Sequence, residues 1–250
     1  MEPVIAKLLC FALVLTRLSA FFLVLPVFGS KILPVRIKVA ATILVSVFFT
    51  MTTSWAFDAQ QISGLEAGLL IIAEAIYGSS LGLIATVIFS VVKFSGRIIE
   101  RQMGMAMAQI LDPLTGERAQ PLGMLLEMLF LLMFLAANGH HLFFLIISRS
   151  YEAFPLGSTP TISVLTGGMI EAGSTMFAAG LRLAAPMLAA FLLLMVILAV
   201  LARIVPEMNI LFVSLPLRVG LGLLMAAIFV PFISNFVSQF ADFMGKLLPL

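Results

Sequence analysis

Residues 93–122 read KFSGRIIERQMGMAMAQILDPLTGERAQPL and carry seven of the chain's 26 charged residues on either side of a methionine run. Almost everything outside this insert is hydrocarbon: 62% of the 250 residues are hydrophobic, 10% are charged and the mean hydropathy is +1.20. A soluble domain carries about 25% charged residues, so the composition is that of a polytopic membrane protein. An ionisable group facing hydrocarbon costs on the order of 2.5 to 3.5 kcal/mol. The insert therefore does not lie against lipid as an ordinary helix, and its role is the central question of the sequence.

Working outward, apolar stretches of about 20 residues, enough to cross a bilayer core, fall at 4–25, 35–57, 64–92, 122–147, 181–205 and 217–245. They predict six long helices and an all-α fold of kinked, packed helical hairpins. Pro26, Gly29 and Pro34 separate the first two, and Pro186 and Pro231 interrupt two others. Basic residues at 31–38, 93–118 and 203–218 fit a positive-inside topology with both termini outside. In the first segment Lys7 precedes the apolar run, but Arg17 interrupts it and no small-x-small site closes it. It is expected to stay as a signal-anchor helix, with the mature chain beginning near Met1. Cys10 is the only cysteine, which excludes an intrachain disulfide and a cysteine metal site. A net charge of +2 with scattered basic residues excludes a nucleic-acid partner.

At 100° per residue Gly64, Gly68, Ala75, Gly78, Gly82 and Thr86 share one stripe, with Glu66 and Glu74 expected on the other side. Small residues so aligned let a second backbone approach closely. Continuing the helix, Lys93, Arg97, Glu100 and Arg101 share a face, where like charges need water or a partner's carboxylates. Met103, Met105 and Met107 then alternate with Gly104, Ala106 and Ala108. Asp112 before Pro113, then Thr115 and Gly116, signal a turn, and Pro121 restarts regular structure. The insert reads as a loop with a bulky, flexible apolar leading edge. Methionine side chains of this kind can close a hole against water and deform around a passing chain, whereas Met124, Met128, Met187 and Met195 read as gap fillers in a core.

Glu127, Asn138 and His141 are expected on one face of the fourth segment, but Glu127 and Asn138 lie about 16 Å apart along it, which disfavours a metal site. Thr159 is placed to cap a short amphipathic helix over 161–180 that starts at Pro160. Pro206-Glu207-Met208-Asn209 joins the last two helices as a hairpin, and Asn235, Ser238, Gln239, Asp242 and Lys246 give the final one a polar face. No phosphate-binding loop, HExxH motif or cysteine-histidine ligand spacing is present. The match of Gly78-Ser79-Ser80-Leu81-Gly82 to GxSxG lies within a helix, not at the strand-to-helix elbow that nucleophile needs. The chain is therefore expected to be no enzyme and to hold no cofactor or metal.

Several motifs in order resemble one family. They are Pro26-Val27-Phe28-Gly29 with Pro34, Glu100-Arg101-Gln102-Met103-Gly104 with Asp112-Pro113, Asn138-Gly139-His140-His141, Ser150-Tyr151 with Pro155, and Val205-Pro206-Glu207-Met208-Asn209 with Pro216-Leu217. Together they resemble the FliR family, the R subunit of the bacterial flagellar type III protein export gate. The resemblance implies a subunit of a helical assembly with P and Q subunits, around a channel for unfolded flagellar substrates. It implies a P-subunit-like region at 1–160 that contains a plug loop at about 103–121, and a Q-subunit-like hairpin region at 161–250. The plug would run from Met103, Gly104, Met105 and Met107 through Gln109, Ile110 and Leu111 to Asp112 and Pro113. The spacing GxxxAxxxDPxxG favours the flagellar branch over the injectisome one, and Glu207 departs from a glutamine frequent in the family. The resemblance also implies the flagellar B and A export proteins as neighbours, contact with membrane lipid, and a place in the bacterial inner membrane at the base of the flagellar basal body. The competing readings are a small-molecule or ion secondary transporter coupled through Glu66, Glu74, Glu127 and His141, and an intramembrane serine hydrolase using Ser80.

Overall fold

The computed structural model describes residues 2–25, 34–52, 63–105, 121–158, 162–207 and 209–247. Among them there are seven α-helices and no strand: α1 (Glu2–Val24), α2 (Val35–Thr52), α3 (Gly64–Gln102), α4 (Pro121–Ala136), α5 (His140–Ala153), α6 (Ile162–Ile204) and α7 (Ile210–Leu247). The all-α fold is as the apolar periodicity predicts. Stretches Ala6–Val24, Val35–Thr52, Gly64–Gln102 and Ile162–Ile204 are each long and apolar enough to cross a membrane. With 39 and 43 residues, α3 and α6 are about 58 and 65 Å long at 1.5 Å per residue. That is about twice a hydrocarbon core of about 30 Å.

Three expectations are corrected. The segment 122–147 is not one helix, because α4 and α5 meet at a 74° bend. Asn138 stands there at φ 59, a left-handed conformation that asparagine adopts more readily than most residues, and Gly139 follows it as the N-cap of α5. Glu127, Asn138 and His141 therefore do not share a helical face. The short helix over 161–180 and the helix over 181–205 are one element, α6, with Pro186 inside it. No polar run separates them, and a proline removes one backbone bond without forcing an end. The hairpin's second helix begins at Ile210, so Pro216 lies inside α7. The expected cap and start at Thr159 and Pro160 fall outside the described residues.

The chain divides into two compact units, one of residues 1–88, 138–174 and 240–250, the other of 89–137 and 175–239. In the first, α3 opens with a reciprocal capping box. The Ser63 amide donates to Glu66 Oε2 at 2.8 Å and the Glu66 amide to Ser63 Oγ at 3.3 Å, which satisfies two amides at the helix start. Glu66 is thus a cap rather than a charge in lipid. In α2 the hydroxyls of Thr42, Ser46 and Thr50 bond back to the carbonyls of Lys38, Thr42 and Ser46, so the helix carries them at no cost in unpaired donors.

Helices α1 and α3 run parallel at backbone contact. A Cβ at Gly78 would collide with the Arg17 backbone, and one at Gly82 would lie 2.9 Å from the Phe21 carbonyl oxygen. Thr86 Oγ1 donates to the Val24 carbonyl at 2.9 Å. The offset between partners stays at 61 or 62 residues along this contact, which fixes the direction. In the second unit Phe89 packs edge-on against Phe130 and Phe134 of α4, at ring separations of 5.3 and 5.0 Å. Phe94 sits at 5.2 Å from Phe177 of α6, over Gly180, where a Cβ would come within 2.5 Å of the Phe94 ring.

Candidate functional site

The insert leaves and re-enters the fold at one carboxylate. Glu100, 6% exposed, lies in the last turn of α3, and its Oε1 accepts from the Leu122 amide at 2.5 Å and the Gly123 amide at 3.1 Å. Helix α4 begins at Pro121, which lacks an amide proton, so Leu122 and Gly123 are its first donors without a carbonyl partner in their own helix. A carboxylate there also faces the positive end of the helix dipole. Below this contact a Cβ at Gly96 would lie 2.7 Å from Gly123 Cα. Lys93 Nζ pairs with Glu127 at 2.8 Å. The two stems of the insert are thus joined at three successive levels of α3.

The leading edge starts with a Schellman turn. The Gly104 amide donates to the Arg101 carbonyl at 3.2 Å, and the Met105 amide to the Glu100 carbonyl at 3.3 Å, with Gly104 at φ +79. This is the pattern in which a left-handed glycine closes a helix. Met103, the residue before that glycine, is 1% exposed and lies on Gly222 of α7. There a Cβ would strike its Sδ and come within 2.5 Å of Cγ and 2.7 Å of Cε.

Of the charged stripe, Lys93 and Glu100 hold α4 while Arg97 and Arg101 are exposed. Met103, Gly104 and Met105 are placed as above. Met107, Gln109, Ile110, Leu111, Asp112 and Pro113 lie outside the described residues. Of the glycine stripe, Gly78 and Gly82 meet α1, whereas a Cβ at Gly64 or Gly68 would meet nothing within 4 Å.

A second cluster lies in the first unit, around Arg17, which is 2% exposed. Its Nε donates to Glu74 Oε2 at 2.5 Å and its Nη2 to Glu74 Oε1 at 3.0 Å. Nη1 reaches the carbonyls of Ser150 and Phe154 at 3.2 and 3.1 Å, and the guanidinium carbon lies 4.7 Å from the Tyr77 ring centre and 4.4 Å from that of Tyr151. Glu74 Oε1 also accepts from the Gly157 amide at 3.4 Å, where Gly157 is at φ +83. One ion pair thus ties α1, α3 and the turn after α5. Glu74 does not point away from the glycine stripe as expected; it stands one turn before Gly78 and meets the same residue of α1. The sequence signals each charge as an anomaly but carries no sign that they pair.

The proposed transporter carboxylates are each engaged locally: Glu66 in its capping box, Glu74 with Arg17, Glu127 with Lys93. His141 is exposed, with its Nδ1 3.3 Å from the Asn138 carbonyl, to which it can only donate, and its ring stacked at 4.3 Å on His140. Among the described residues no group of three histidine, cysteine or acidic side chains is arranged to hold a metal. Ser80 is buried within α3, and its Oγ donates to the Tyr77 carbonyl at 2.7 Å, the ordinary role of a serine in a packed helix.

The chain matches the family model described as bacterial export proteins, family 1, over residues 8–244. It is 31% identical to the flagellar biosynthetic protein FliR of Bacillus subtilis (strain 168) over 233 residues, covering 90% of this chain and 87% of that protein. Identity to the flagellar biosynthetic protein FliR of Escherichia coli (strain K12) is 28% over 222 residues, 89% of this chain and 84% of the relative. The Yop proteins translocation protein T of Yersinia pestis is 26% identical over 227 residues, 89% of this chain and 86% of the relative. A match of this extent means that the chain belongs to family 1 of the bacterial export proteins, the family of the flagellar biosynthetic protein FliR.

Proposed function

We propose that the chain is an integral subunit of the flagellar type III export gate, in the bacterial inner membrane at the base of the basal body. It assembles there with P and Q subunits around a channel for unfolded flagellar proteins, beside the flagellar B and A export proteins. Residues 1–160 act as the P-like part and 161–250 as the Q-like part. The subunit performs no catalysis, and a proton gradient and an ATPase elsewhere in the machinery drive transport. Residues 103–121 help to seal the channel, with Met103, Gly104, Met105, Met107, Gln109, Ile110, Leu111, Asp112 and Pro113 as the stopper.

The observation that supports this reading is the clamp at Glu100. A segment whose two ends are held by one buried carboxylate is presented from a fixed base, as a seal must be. Apolar methionines give it a surface that excludes ions yet yields to a polypeptide. Deleting residues 104–111 in a strain that co-expresses the P and Q subunits is expected to make the inner membrane leaky to small ions, measured as growth arrest in salt or as conductance in planar bilayers. Unchanged conductance with an intact complex would overturn the sealing role. The secondary-transporter reading would require Glu66, Glu74 or Glu127 to release its partner during a cycle, and each is committed to a cap or an ion pair that holds helices together.

A further inference from the structure

Helix α7 runs through apolar sequence, and Arg218 interrupts it two residues after Pro216. Arginine does not shed its charge when it is buried, and a cation carried in an apolar helix needs an acceptor beside it. The chain meets this need for Arg17, which Glu74 and the carbonyls of Ser150 and Phe154 receive. It does not meet it for Arg218. The Arg218 Nε is buried with no acceptor, and among the described residues no carboxylate pairs with the guanidinium.

The neighbours of Arg218 show from which side an acceptor comes. On a helix surface they stand three and four positions away. They are Ser214 and Gly222, both buried, Leu221, half-buried, and Leu215, which is 50% exposed. Arg218 therefore stands at the rim between the packed side of α7 and a side that the described residues leave uncovered. That side continues from Leu215 to Phe212, three residues earlier and 76% exposed. Lipid tails would cover these two residues but bring no acceptor. A helix of another subunit with an aspartate or glutamate at the matching height brings both. Nε and one Nη of a guanidinium offer a carboxylate two parallel donors, as Arg17 offers them to Glu74.

We propose that Arg218 is a docking contact for a neighbouring gate subunit, whose aspartate or glutamate pairs with the guanidinium while its apolar residues cover Phe212 and Leu215. The inference rests on the assembly with P and Q subunits proposed above. To test it, the full chain is co-expressed with P and Q and purified through an affinity tag on this chain. Arg218→Glu sets two like charges together and is expected to lower the recovery of P and Q about tenfold, as loss of one member of a desolvated charge pair does. With the aspartates and glutamates of P and Q changed singly to arginine, one such change should restore recovery with Arg218→Glu and lower it with the parental chain. Arg218→Met, which adds no charge, should lower recovery too, while the variant chain expressed alone keeps the parental pattern of limited proteolysis. Full recovery with both variants, or a loss that no partner reversal repairs, would overturn the pairing. Repair by Asp112→Arg or Glu117→Arg in the same chain would overturn it in favour of an internal pair. A parental chain that brings down neither P nor Q would instead overturn the assembly reading, and the pairing with it.

Discussion

At the scale of single residues, Arg17 and Glu74 decide whether the first unit holds. Both side chains are almost fully buried, at 2% and 3% exposure, so removing one strands the other charge. Breaking such a pair from one side costs about 3–5 kcal/mol, whereas replacing both partners by apolar residues of similar volume is often neutral. Arg17→Ala and Glu74→Ala are each expected to abolish protease-resistant protein in the membrane. The double variant Arg17→Met with Glu74→Leu should recover most of it, as read by limited proteolysis and thermal unfolding in detergent. A double variant no better than either single one would mean that the guanidinium acts mainly through Ser150, Phe154 and the two tyrosine rings. The sequence makes each charge conspicuous because each interrupts an apolar run. It does not show the pairing, because 57 residues separate them and the contact depends on the parallel approach of α1 and α3 at Gly78 and Gly82. Even that approach was half legible: the glycine stripe is visible as a period, but Gly64 and Gly68 belong to the same period and meet nothing.

At the scale of elements, the relation between α3 and α4 turns on Glu100. Replacing it by alanine leaves the Leu122 and Gly123 amides without a partner, at a cost of about 1–3 kcal/mol per stranded donor. Glu100→Ala is expected to speed hydrogen exchange at Leu122 and Gly123, and Glu100→Gln, which keeps an acceptor, should slow it again. Gly104→Ala should weaken the end of α3 by about 1–2 kcal/mol, since a side chain at φ +79 is strained. Local chemistry made some of these boundaries readable: Ser63 and Glu66 form a capping box, and Pro121 announces a helix start. The end of α3 is signalled too, as Gly104 closes a helical period, although the methionine alternation fits an extended backbone equally well. The breaks that could not be read are those set by one backbone conformation. The polar run Asn138-Gly139-His140-His141 is too short to split the apolar segment on hydropathy alone, and the left-handed φ of Asn138 divides α4 from α5. Conversely Pro186, a conventional breaker, is carried inside α6.

At the scale of the molecule, family membership was legible because ordered motifs span the chain, while the contacts that tie the insert to the rest were not. Nothing in the sequence links Met103 to Gly222, which lie 119 positions apart, yet Met103 fills the space that a side chain at 222 would take. The methionine that opens the apolar part of the insert is thereby seated on α7, so a shift of α7 would be felt at the base of that segment. Gly222→Val should unseat Met103, because its Cβ alone already overlaps the thioether. If the insert seals a channel, this variant is expected to raise ion leak through the assembled complex, measured as conductance in planar bilayers. Met103→Ala in the same chain removes the overlap and should return the leak toward the parental level, and Met103→Ala alone should leak less than Gly222→Val. Leak in Gly222→Val that Met103→Ala leaves unchanged would show that residue 222 acts through the packing of α7 and not through the seat it gives the methionine.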